Sequence, residues 1–410
     1  MKPITDLIHR GYQPPGDFAS TQFPVHKASS VFFSDVAQLR DRQWLDRSGY
    51  TYGLHGTPST FVLEERLCQL EGAKHAVLLP SGLAALAQVN LAFLTHGDEV
   101  LIPDNAYGPL KSLFQNEFSA WGITHQCYDP MRLDDLANRL GDKTKLVWLE
   151  APGSVTLEFP DLVGLLTYCR HRGVLTALDN TWGAGLAFQP FDLLPGKLER
   201  LGVDISVHAL TKYPSGGGDV LMGSISAVRT DLAKTLMLSH MRIGFGVSGN
   251  DVELVLRSLS SIELRYEAQD RTCREVAAWC IKQDAFAQVL HPALVDSPGH
   301  AHWRRLCAAD QLADGPLHAG GRAASLLSLR FQPRISPQQV DLFCNALKLF
   351  KLGYSWGGPI SLVVPYDLKS MREHADSAML EGGFVRLAMG LEQPEDLIAD
   401  LAQALQTALT

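Results

Sequence analysis

The sequence predicts an α/β protein in which helices cover a mostly parallel sheet, with an N-terminal arm before this unit and a smaller C-terminal α+β domain after it. Between about residues 61 and 250, short apolar runs alternate with amphipathic stretches, a pattern typical of consecutive β–α–β units. The chain has 410 residues, which exceeds the usual size of one compact core. We therefore expect two domains.

Composition divides the chain into three zones. Residues 1–60 are rich in Pro, Gly, Ser and other polar residues with weak periodicity, which predicts an arm that packs on another part of the assembly. Residues 61–250 carry the alternating pattern of the sheet. Residues 251–410 begin with a long amphipathic stretch and continue with a mixed segment, so we expect the second, smaller domain there.

The apolar runs predict the strands of the larger domain. Helical segments separate most of them, as parallel strands require. The predicted strands are HAVLL (75–79), EVLIP (99–103), ITHQCY (123–128), KLVWLE (145–150), VLTALD (174–179), DISVHAL (204–210) and LMGSISAV (221–228).

Charge and composition argue against several partners. The formal net charge is −8, and the chain has no block of like charges that would grip nucleic acid or an anionic membrane. No apolar run approaches the length of a membrane span, and the N-terminus lacks the pattern of a secretory signal. The seven cysteines are scattered without a C-x-x-C pair. We therefore predict a cytoplasmic protein without a metal site.

A helix start follows the first predicted strand. Ser81, Gly82 and Leu83 come directly after HAVLLP and open an apolar helix. The free amides of such a first turn and the helix dipole stabilise an anionic group, typically a phosphate. Ser81 as a simple N-cap is the alternative interpretation.

Two charged residues follow later strands. Asp179 closes VLTALD, either as an N-cap or as a functional carboxylate facing the crevice beyond the strands. Lys212 follows DISVHAL and precedes the run Gly216 to Gly218. A partly buried lysine has a lowered pKa and becomes a nucleophile toward carbonyls, whereas a surface lysine in a flexible loop is the alternative.

These three features together indicate one cofactor. Amides for a phosphate, a carboxylate for a pyridinium nitrogen and a lysine for an aldehyde match pyridoxal phosphate (PLP). Arg386 adds a candidate substrate group, because it lies in the middle of the apolar segment FVRLAMG. It either binds a substrate carboxylate through its guanidinium fork or forms a structural ion pair.

The order and spacing of several motifs resemble the cystathionine lyase and synthase family of fold type I PLP enzymes, whose fold is similar to that of aspartate aminotransferase. The resemblance covers nearly the whole chain. It rests on YGLHGTPST, LEGAKHAVLLPSGLAAL, DNAYGP, LEAPGSVT, LDNTWGAG, ALTKY, HPAL, GYSWGG and VRLAMGLE. Within the family, YSWGG and EAPGSVT favour the β-lyase branch over the γ-synthase and γ-lyase branches.

The resemblance implies a role for each matching residue. Lys212 would hold PLP as a Schiff base, Asp179 would pair with the pyridine nitrogen and Tyr107 would stack on the ring. The phosphate would be held by the amides of Gly82 and Leu83 and by the hydroxyl of Thr211. The remaining expected site residues are Tyr52, which reaches the phosphate from a neighbouring subunit, and Ser355, Trp356 and Arg386, which bind the substrate carboxylate or shape its pocket.

The resemblance also implies an activity and an assembly. The expected reaction is β-elimination of L-cystathionine to homocysteine, pyruvate and ammonia, a step of methionine biosynthesis. Alternatives are γ-elimination, γ-replacement or another thioether substrate, and, in a different class, a non-catalytic PLP-binding regulatory protein. A site shared between subunits implies a homodimer at least, and the family implies a homotetramer built from two dimers.

The sequence departs from the family at two positions near the expected phosphate. The family usually has Arg two residues after the arm tyrosine, where this chain has Leu54 followed by His55. Ala209 stands where many relatives carry serine. His55 either substitutes for the missing cation or is an exposed histidine without such a role.

Two other patterns suggest different chemistry. GFGVSG (244–249) matches the dinucleotide fingerprint G-x-G-x-x-G, but it follows no clear strand, so we do not expect a nicotinamide site. His300 and His302 suggest a metal pair, but no third ligand stands at a recognisable spacing. We expect both histidines to be surface or packing residues.

Overall fold

The structure is a computed structural model, and its larger unit is built on a seven-stranded sheet. The described residues are 20–41, 44–197, 199–308, 317, 320–374, 377 and 379–409, so the first 19 residues of the predicted arm lie outside them. The strands of this sheet are β1 His75–Leu79, β2 Glu99–Pro103, β3 Thr124–Tyr128, β4 Thr144–Glu150, β5 Leu175–Asp179, β6 Ile205–Ala209 and β7 Gly223–Ala227. Every predicted strand of the larger domain is confirmed.

The strand order explains where polar residues gather. The order is β1-β7-β6-β5-β4-β2-β3, with β2 to β6 parallel and β7 antiparallel to both of its neighbours. The predicted mostly parallel sheet is confirmed. In the register, Glu150 lies beside Asp179, and Asp179 lies beside Val207. The carboxyl ends of β4, β5 and β6 therefore meet at one edge, where ligands bind in such sheets.

Helices cover both faces of this sheet. One helix starts at Pro58 after a capping box between Thr57 and Thr60, and it ends where Gly72 adopts φ 73°, which favours glycine. The helices of this part are α1 Val36–Arg40, α2 Pro58–Glu71, α3 Gly82–Phe93, α4 Gly108–Leu113, α5 Leu133–Arg139, α6 Leu162–Arg172, α7 Thr230–Ile243 and α8 Gly249–Leu259, with a 3₁₀ turn Gly53–His55 and a π turn Phe114–Phe118.

A smaller five-stranded sheet follows in the chain. Its order is β10-β11-β12-β9-β8, antiparallel except for the pair β10 and β11. Its strands are β8 Phe286–Leu290, β9 Leu326–Phe331, β10 Lys351–Leu352, β11 Leu362–Tyr366 and β12 Phe384–Ala388. The helices are α9 Ile262–Cys280, α10 His300–Cys307, α11 Pro337–Ala346 and α12 Pro394–Leu409, with a 3₁₀ turn Leu368–Ser370.

Each sheet has its own buried core. Helices α3 and α7 pack on one face of the large sheet, and α6 packs on the other face together with Tyr213 and Trp303. The small sheet packs against α9, α11 and α12. Helix α8, which begins at the predicted domain boundary near residue 250, buries Val252 and Val255 against α2. That boundary stays a prediction. Within the described ranges, no helix is both long and apolar enough to cross a bilayer.

Candidate active site

A cavity of about 660 Å³ opens between the carboxyl ends of the parallel strands and the small sheet. It brings together residues that the sequence analysis selected from distant segments. Those lining it are Gly82, Leu83, Tyr107, Asp179, Thr211, Lys212, Ser355, Trp356 and Arg386. Tyr52 is the one predicted site residue that does not line this cavity.

Lys212 lies in the loop that follows β6. Its amide donates to the carbonyl of Ala209, which turns the chain back at the strand end. Its Nζ donates to Ser355 Oγ at 2.9 Å and lies 5.6 Å from the centre of the Trp356 ring. Burial lowers the pKa of Lys212 to about 8, and the positive charge of Arg386 acts in the same direction. The lysine therefore has a substantial neutral, nucleophilic fraction near neutral pH.

Asp179 is the last residue of β5. Its Oδ1 accepts the amide of Thr181 at 3.0 Å and the Thr181 hydroxyl at 2.5 Å, and among the described contacts Oδ2 accepts none. Burial raises the pKa of Asp179, while the bonds from Thr181 and the charge of Lys212 partly oppose this rise. The bonds from Thr181 therefore hold Oδ1 in place at the cavity wall, and Oδ2 is available to accept a hydrogen bond from a ligand.

The start of helix α3 forms a cradle at another wall. Ser81 caps the helix through its Oγ, which accepts the Ala84 amide at 3.0 Å, while the amides of Gly82 and Leu83 have no partner inside the helix. A Cβ on Gly82 would lie 2.6 Å from the Ala209 Cβ, so only glycine allows the helix to approach β6 this closely. Cradle and amides together suit a phosphate.

Thr211 lies beside this cradle. Its Oγ1 accepts the Met222 amide at 3.2 Å and lies 3.3 Å from the Met222 carbonyl, which links the loop after β6 to the start of β7. The hydroxyl has an accepting and a donating contact already, and it lines the same cavity. A phosphate there would compete with the carbonyl for the hydroxyl proton.

Arg386 occupies the middle of β12. Its side chain is buried, with the residue 6% exposed, and its neighbours across the sheet are Val364 and Ser328. Nη1 donates to the carbonyl of Ser154 at 3.2 Å, and Cζ lies 5.4 Å from the centre of the Tyr366 ring. Among the described residues, no carboxylate lies within ion-pair distance of Arg386. Glu150 acts on this charge from beyond ion-pair distance, so among the described residues no carboxylate is paired with the guanidinium in the cavity wall.

Tyr107 lies after β2, at the start of helix α4, and it is 41% exposed. Its amide donates to Glu150 Oε2 at 2.8 Å. Burial raises the pKa of the Tyr107 phenol, and the negative charges of Asp179 and Glu150 raise it further. The phenol therefore keeps its proton at neutral pH.

The residues of the cavity wall that sequence reasoning missed include Glu150, Tyr366 and Met371. Burial raises the pKa of Glu150 well above its ordinary value, and the charge of Asp179 beside it adds to this rise. A signal for Glu150 was present, because it ends KLVWLE as Asp179 ends VLTALD. Tyr366 and Met371 carried no such signal.

The described part of the arm lies outside the cavity of its own chain. Tyr52 is 47% exposed, pairs with Ser30 in an isolated bridge and contacts the edge of His55. His55 stacks on Trp44 at 4.4 Å, and its Nδ1 lies 2.8 Å from the hydroxyl of Thr51. His55 therefore does not reach the cradle of Gly82 in the same chain.

The two competing patterns have structural roles. Gly244 ends helix α7 with φ 85°, so GFGVSG follows a helix and not the strand that a dinucleotide site needs. His300 Nδ1 lies 2.9 Å from the Pro292 carbonyl, and His302 Nδ1 lies 3.7 Å from Asp161. In the described part of the chain, no three side chains form a group that could hold a metal ion.

Comparison with known families identifies the family of this chain and its cofactor. The model of the Cys/Met metabolism PLP-dependent enzyme family matches residues 4–406. The chain belongs to this family. It is therefore an enzyme whose cofactor is PLP and whose substrates are small amino-acid molecules, as the sequence analysis predicted.

Individual relatives cover nearly the whole chain. A cystathionine beta-lyase of Bordetella avium is 35% identical over 98% of this chain and 97% of its own length. An L-alanine/L-glutamate racemase of Wolbachia pipientis is 33% identical over 87% of this chain and 82% of its own. A solved cystathionine gamma synthase from Xanthomonas oryzae pv. oryzae matches with a TM-score of 0.82 at 26% identity, covering 96% of this chain and 95% of that one. The predicted fold type I architecture is thereby confirmed.

The residues at the cavity fit PLP. The cradle that a Cβ on Gly82 would fill suits the phosphate, and a lysine with a lowered pKa suits the aldehyde. Asp179 offers a carboxylate at the wall of the same cavity. The cavity is also larger than a water-filled gap and leaves room for a substrate beside a cofactor.

Proposed function

We propose that this enzyme cleaves the Cβ–S bond of L-cystathionine by β-elimination, which consumes water and releases homocysteine, pyruvate and ammonia. The observation that carries the proposal is the placement of Lys212, Ser355 and Arg386 on adjoining walls of one cavity. The full-length similarity to a cystathionine beta-lyase supports this choice of substrate.

The cofactor would be held at both ends. The amides of Gly82 and Leu83 and the hydroxyl of Thr211 bind its phosphate, and Asp179 pairs with its ring nitrogen. Lys212 bonds covalently to its aldehyde carbon, and Tyr107 stacks on its ring. When bound, PLP withdraws electrons from the bonds at the substrate Cα and thereby weakens them.

The substrate would be held by its α-carboxylate. The guanidinium of Arg386 has no protein carboxylate beside it in the described structure, so it is available for a bidentate bond to a carboxylate. Ser355 lies within hydrogen-bond reach of Lys212 and donates its hydroxyl to the same carboxylate once that lysine moves. Trp356 closes the pocket from one side.

Two residues would move protons. Lys212 would remove the proton from the substrate Cα, which its lowered pKa allows near neutral pH. The leaving sulfur then needs a proton. Lys212 can return the one it took, and Tyr107 can donate its own because its raised pKa keeps the phenol protonated. Both routes conserve the proton within the cavity.

The assembly is part of the proposal. Tyr52 is exposed and lies outside its own cavity, which supports its reaching the phosphate of a second copy. We therefore propose a homodimer as the smallest active unit and a homotetramer of two dimers as the assembly. The seven free cysteines are consistent with a cytoplasmic location.

A second candidate is γ-elimination or γ-replacement at the same site. The similarity to a solved cystathionine gamma synthase favours it, because that protein has the same fold. A non-catalytic regulatory role is the third candidate, which the departures at Leu54 and Ala209 keep open. The gathering of Lys212, Asp179 and Arg386 in one cavity argues against it.

The keto acid released from L-cystathionine distinguishes these candidates. We expect pyruvate from the purified holoenzyme, and none from a Lys212→Ala variant that still folds. Release of 2-oxobutanoate would move the enzyme to the γ-lyase reaction. A holoenzyme that shows the visible absorbance of lysine-bound PLP, lost on borohydride reduction, and yet releases no keto acid would support the regulatory role.

A further inference from the structure

A buried arginine joins the small sheet to the loops that carry the active site. Arg372 follows the 3₁₀ turn Leu368–Ser370 and lies between β11 and β12 in the chain. Its Nε donates to Asp104 Oδ2 at 2.7 Å. Its Nη1 donates to Thr156 Oγ1 at 2.8 Å, and Nη1 and Nη2 both contact the carboxylate of Glu158 at 3.2 to 3.3 Å.

The carboxylate of Asp104 also binds backbone amides of the segment that follows Arg372. Its Oδ1 accepts the amide of Glu373 at 2.8 Å, and its Oδ2 accepts that of His374 at 3.1 Å. Lys111 Nζ lies 3.8 Å from Asp104 Oδ1 and donates to the carbonyl of Met371. Residues 372–374 are thus fastened to Asp104 in the turn after β2 at three consecutive positions, and Met371 is bonded to Lys111 of helix α4.

The cluster is almost closed to solvent. The side chains of Arg372 and Glu158 are 6% exposed each, and that of Asp104 is fully buried. Two carboxylates face two cations, Arg372 and Lys111, so the formal charges balance. Removing one partner would leave a buried charge without compensation, which is far more costly than losing an exposed ion pair.

The partners of Arg372 lie next to the catalytic and binding residues. Asp104 lies three residues before Tyr107 in the same turn. Asn105 donates to Glu158 Oε2 at 2.9 Å, and its carbonyl accepts the amide of Ser154, whose own carbonyl accepts from Arg386. One hydrogen-bonded chain therefore runs from the cluster to the turn of Tyr107 and to the guanidinium of Arg386.

The segment itself contributes to the cavity wall. Met371 precedes Arg372 directly and lines the cavity, as does Tyr366 at the end of β11. Met371 belongs to the segment that the cluster fastens, whereas Tyr366 is the last residue of β11 before it. Loosening of residues 371–374 would let Met371 shift and would change the width of the cavity at that wall.

We propose that Arg372 is a positioning residue that fixes the width of the cavity between Met371 and Tyr107, and thereby sets how well the leaving half of the thioether is held. The inference rests on the proposed β-elimination, because it concerns the part of the substrate beyond the sulfur. It assigns no contact between Arg372 and the substrate. The effect is transmitted through Asp104 and Glu158.

The test compares two thioethers that differ only beyond the sulfur, L-cystathionine and S-methyl-L-cysteine. For Arg372→Met we expect KM for L-cystathionine to rise about tenfold and KM for S-methyl-L-cysteine to change less than about twofold. In Arg372→Lys, KM for L-cystathionine should rise less than in Arg372→Met. Thr156→Val removes the bond to Arg372 Nη1 and the bond from Thr156 Oγ1 to Glu158 Oε2 at 2.6 Å, and it should show the same difference between the two thioethers to a smaller extent. This variant tests the proposal if the arginine variants do not fold.

The control is Arg274→Met. Arg274 forms a largely buried ion pair with Asp270 inside helix α9, at 2.8 Å, and does not line the cavity. If Arg274→Met only destabilises the fold, KM should change by the same factor for both thioethers. An equal rise of KM for both thioethers in Arg372→Met, or the same split in Arg274→Met, would overturn the proposal.

A readout without turnover separates this inference from the proposed reaction. A glutamate-specific protease should cut the holoenzyme after Glu373 slowly, because Asp104 holds the amides of Glu373 and His374. Cutting at this bond should accelerate at least about tenfold in Arg372→Met and not in Arg274→Met. A wild type that releases no pyruvate would disprove the reaction, while equal cutting rates in all proteins would disprove the fastening by Arg372.

Discussion

Lys212 Nζ donates to Ser355 Oγ at 2.9 Å although 143 residues separate the two in the chain. Lys212 follows strand β6 of the large sheet, and Ser355 precedes strand β11 of the small one. The amine is therefore held in place only when both sheets are docked. Binding of the cofactor and of the substrate must depend on that docking as well.

The lowered pKa of Lys212 predicts how cofactor attachment depends on pH. The neutral amine attacks the aldehyde, and its fraction rises about tenfold per pH unit below the pKa. With a pKa of about 8, the attachment rate should rise up to about pH 8 and level off above it. Mixing apoenzyme with PLP and following the visible absorbance over time measures the rate.

Substitution of the charged residues near Lys212 should shift the pH midpoint of the attachment rate in a predictable direction. Arg386 lowers the pKa of Lys212 and Asp179 raises it. An Arg386→Leu variant should therefore shift the midpoint of the profile to higher pH, and Asp179→Asn should shift it to lower pH. Midpoints that stay in place in both variants would show that burial alone sets this pKa.

The hydroxyl of Thr181 should set the charge of Asp179. It donates to Asp179 Oδ1, and this bond lowers the pKa of a carboxyl that burial raises. In Thr181→Val that pKa should rise, so the carboxylate is lost at a higher pH. The acid limb of the profile of kcat/KM against pH should then move up by about one unit, with turnover reduced below it.

Thr181→Ser is the matched control for this prediction. It keeps the hydroxyl, including its acceptance of the Ala209 amide at 2.9 Å, and should leave the acid limb in place. An acid limb that moves equally in the serine and valine variants would show that the hydroxyl bond to Asp179 does not set it, because serine keeps that hydroxyl.

Sequence periodicity predicted most of the fold and part of the site. Apolar runs buried in a sheet locate strands directly, and residues at their carboxyl ends must meet, which is how Asp179 and Lys212 were selected. The direction of β7 could not be read in this way, because an apolar run does not distinguish a parallel from an antiparallel strand. The pairing of Arg372 with Asp104 spans 268 residues and leaves no local pattern.

Arg386 should be needed for its geometry and not only for its charge. Lysine keeps the positive charge but cannot form two parallel bonds to a carboxylate. For Arg386→Lys we expect KM for L-cystathionine to rise about tenfold to a hundredfold, with a smaller fall in kcat. Arg330→Lys, on the neighbouring strand β9 and outside the cavity, should leave both constants unchanged. If KM and kcat were the same in the two variants, Arg386 would not bind the substrate carboxylate.

The cradle at Gly82 gives the sharpest test of the phosphate site. A Cβ at Gly82 would lie 2.6 Å from the Ala209 Cβ, so Gly82→Ala must push the start of helix α3 away from β6. We expect the dissociation constant of PLP to rise at least about tenfold, because the amides of Gly82 and Leu83 move with the helix. Equilibrium dialysis of the apoenzyme against PLP measures it without turnover.

Two further variants identify the cause of that loss. Gly141→Ala adds the same methyl group where nothing lies within 4 Å, and it should bind PLP as the wild type does. Adding Ala209→Gly to Gly82→Ala removes the atom in conflict, after which the nearest Ala209 atom is its Cα at 3.2 Å, so affinity should recover in large part. An unchanged affinity in the single variant would show that the phosphate is not bound at this helix. A loss that the second substitution does not relieve would trace it to the helix itself and not to its approach to β6.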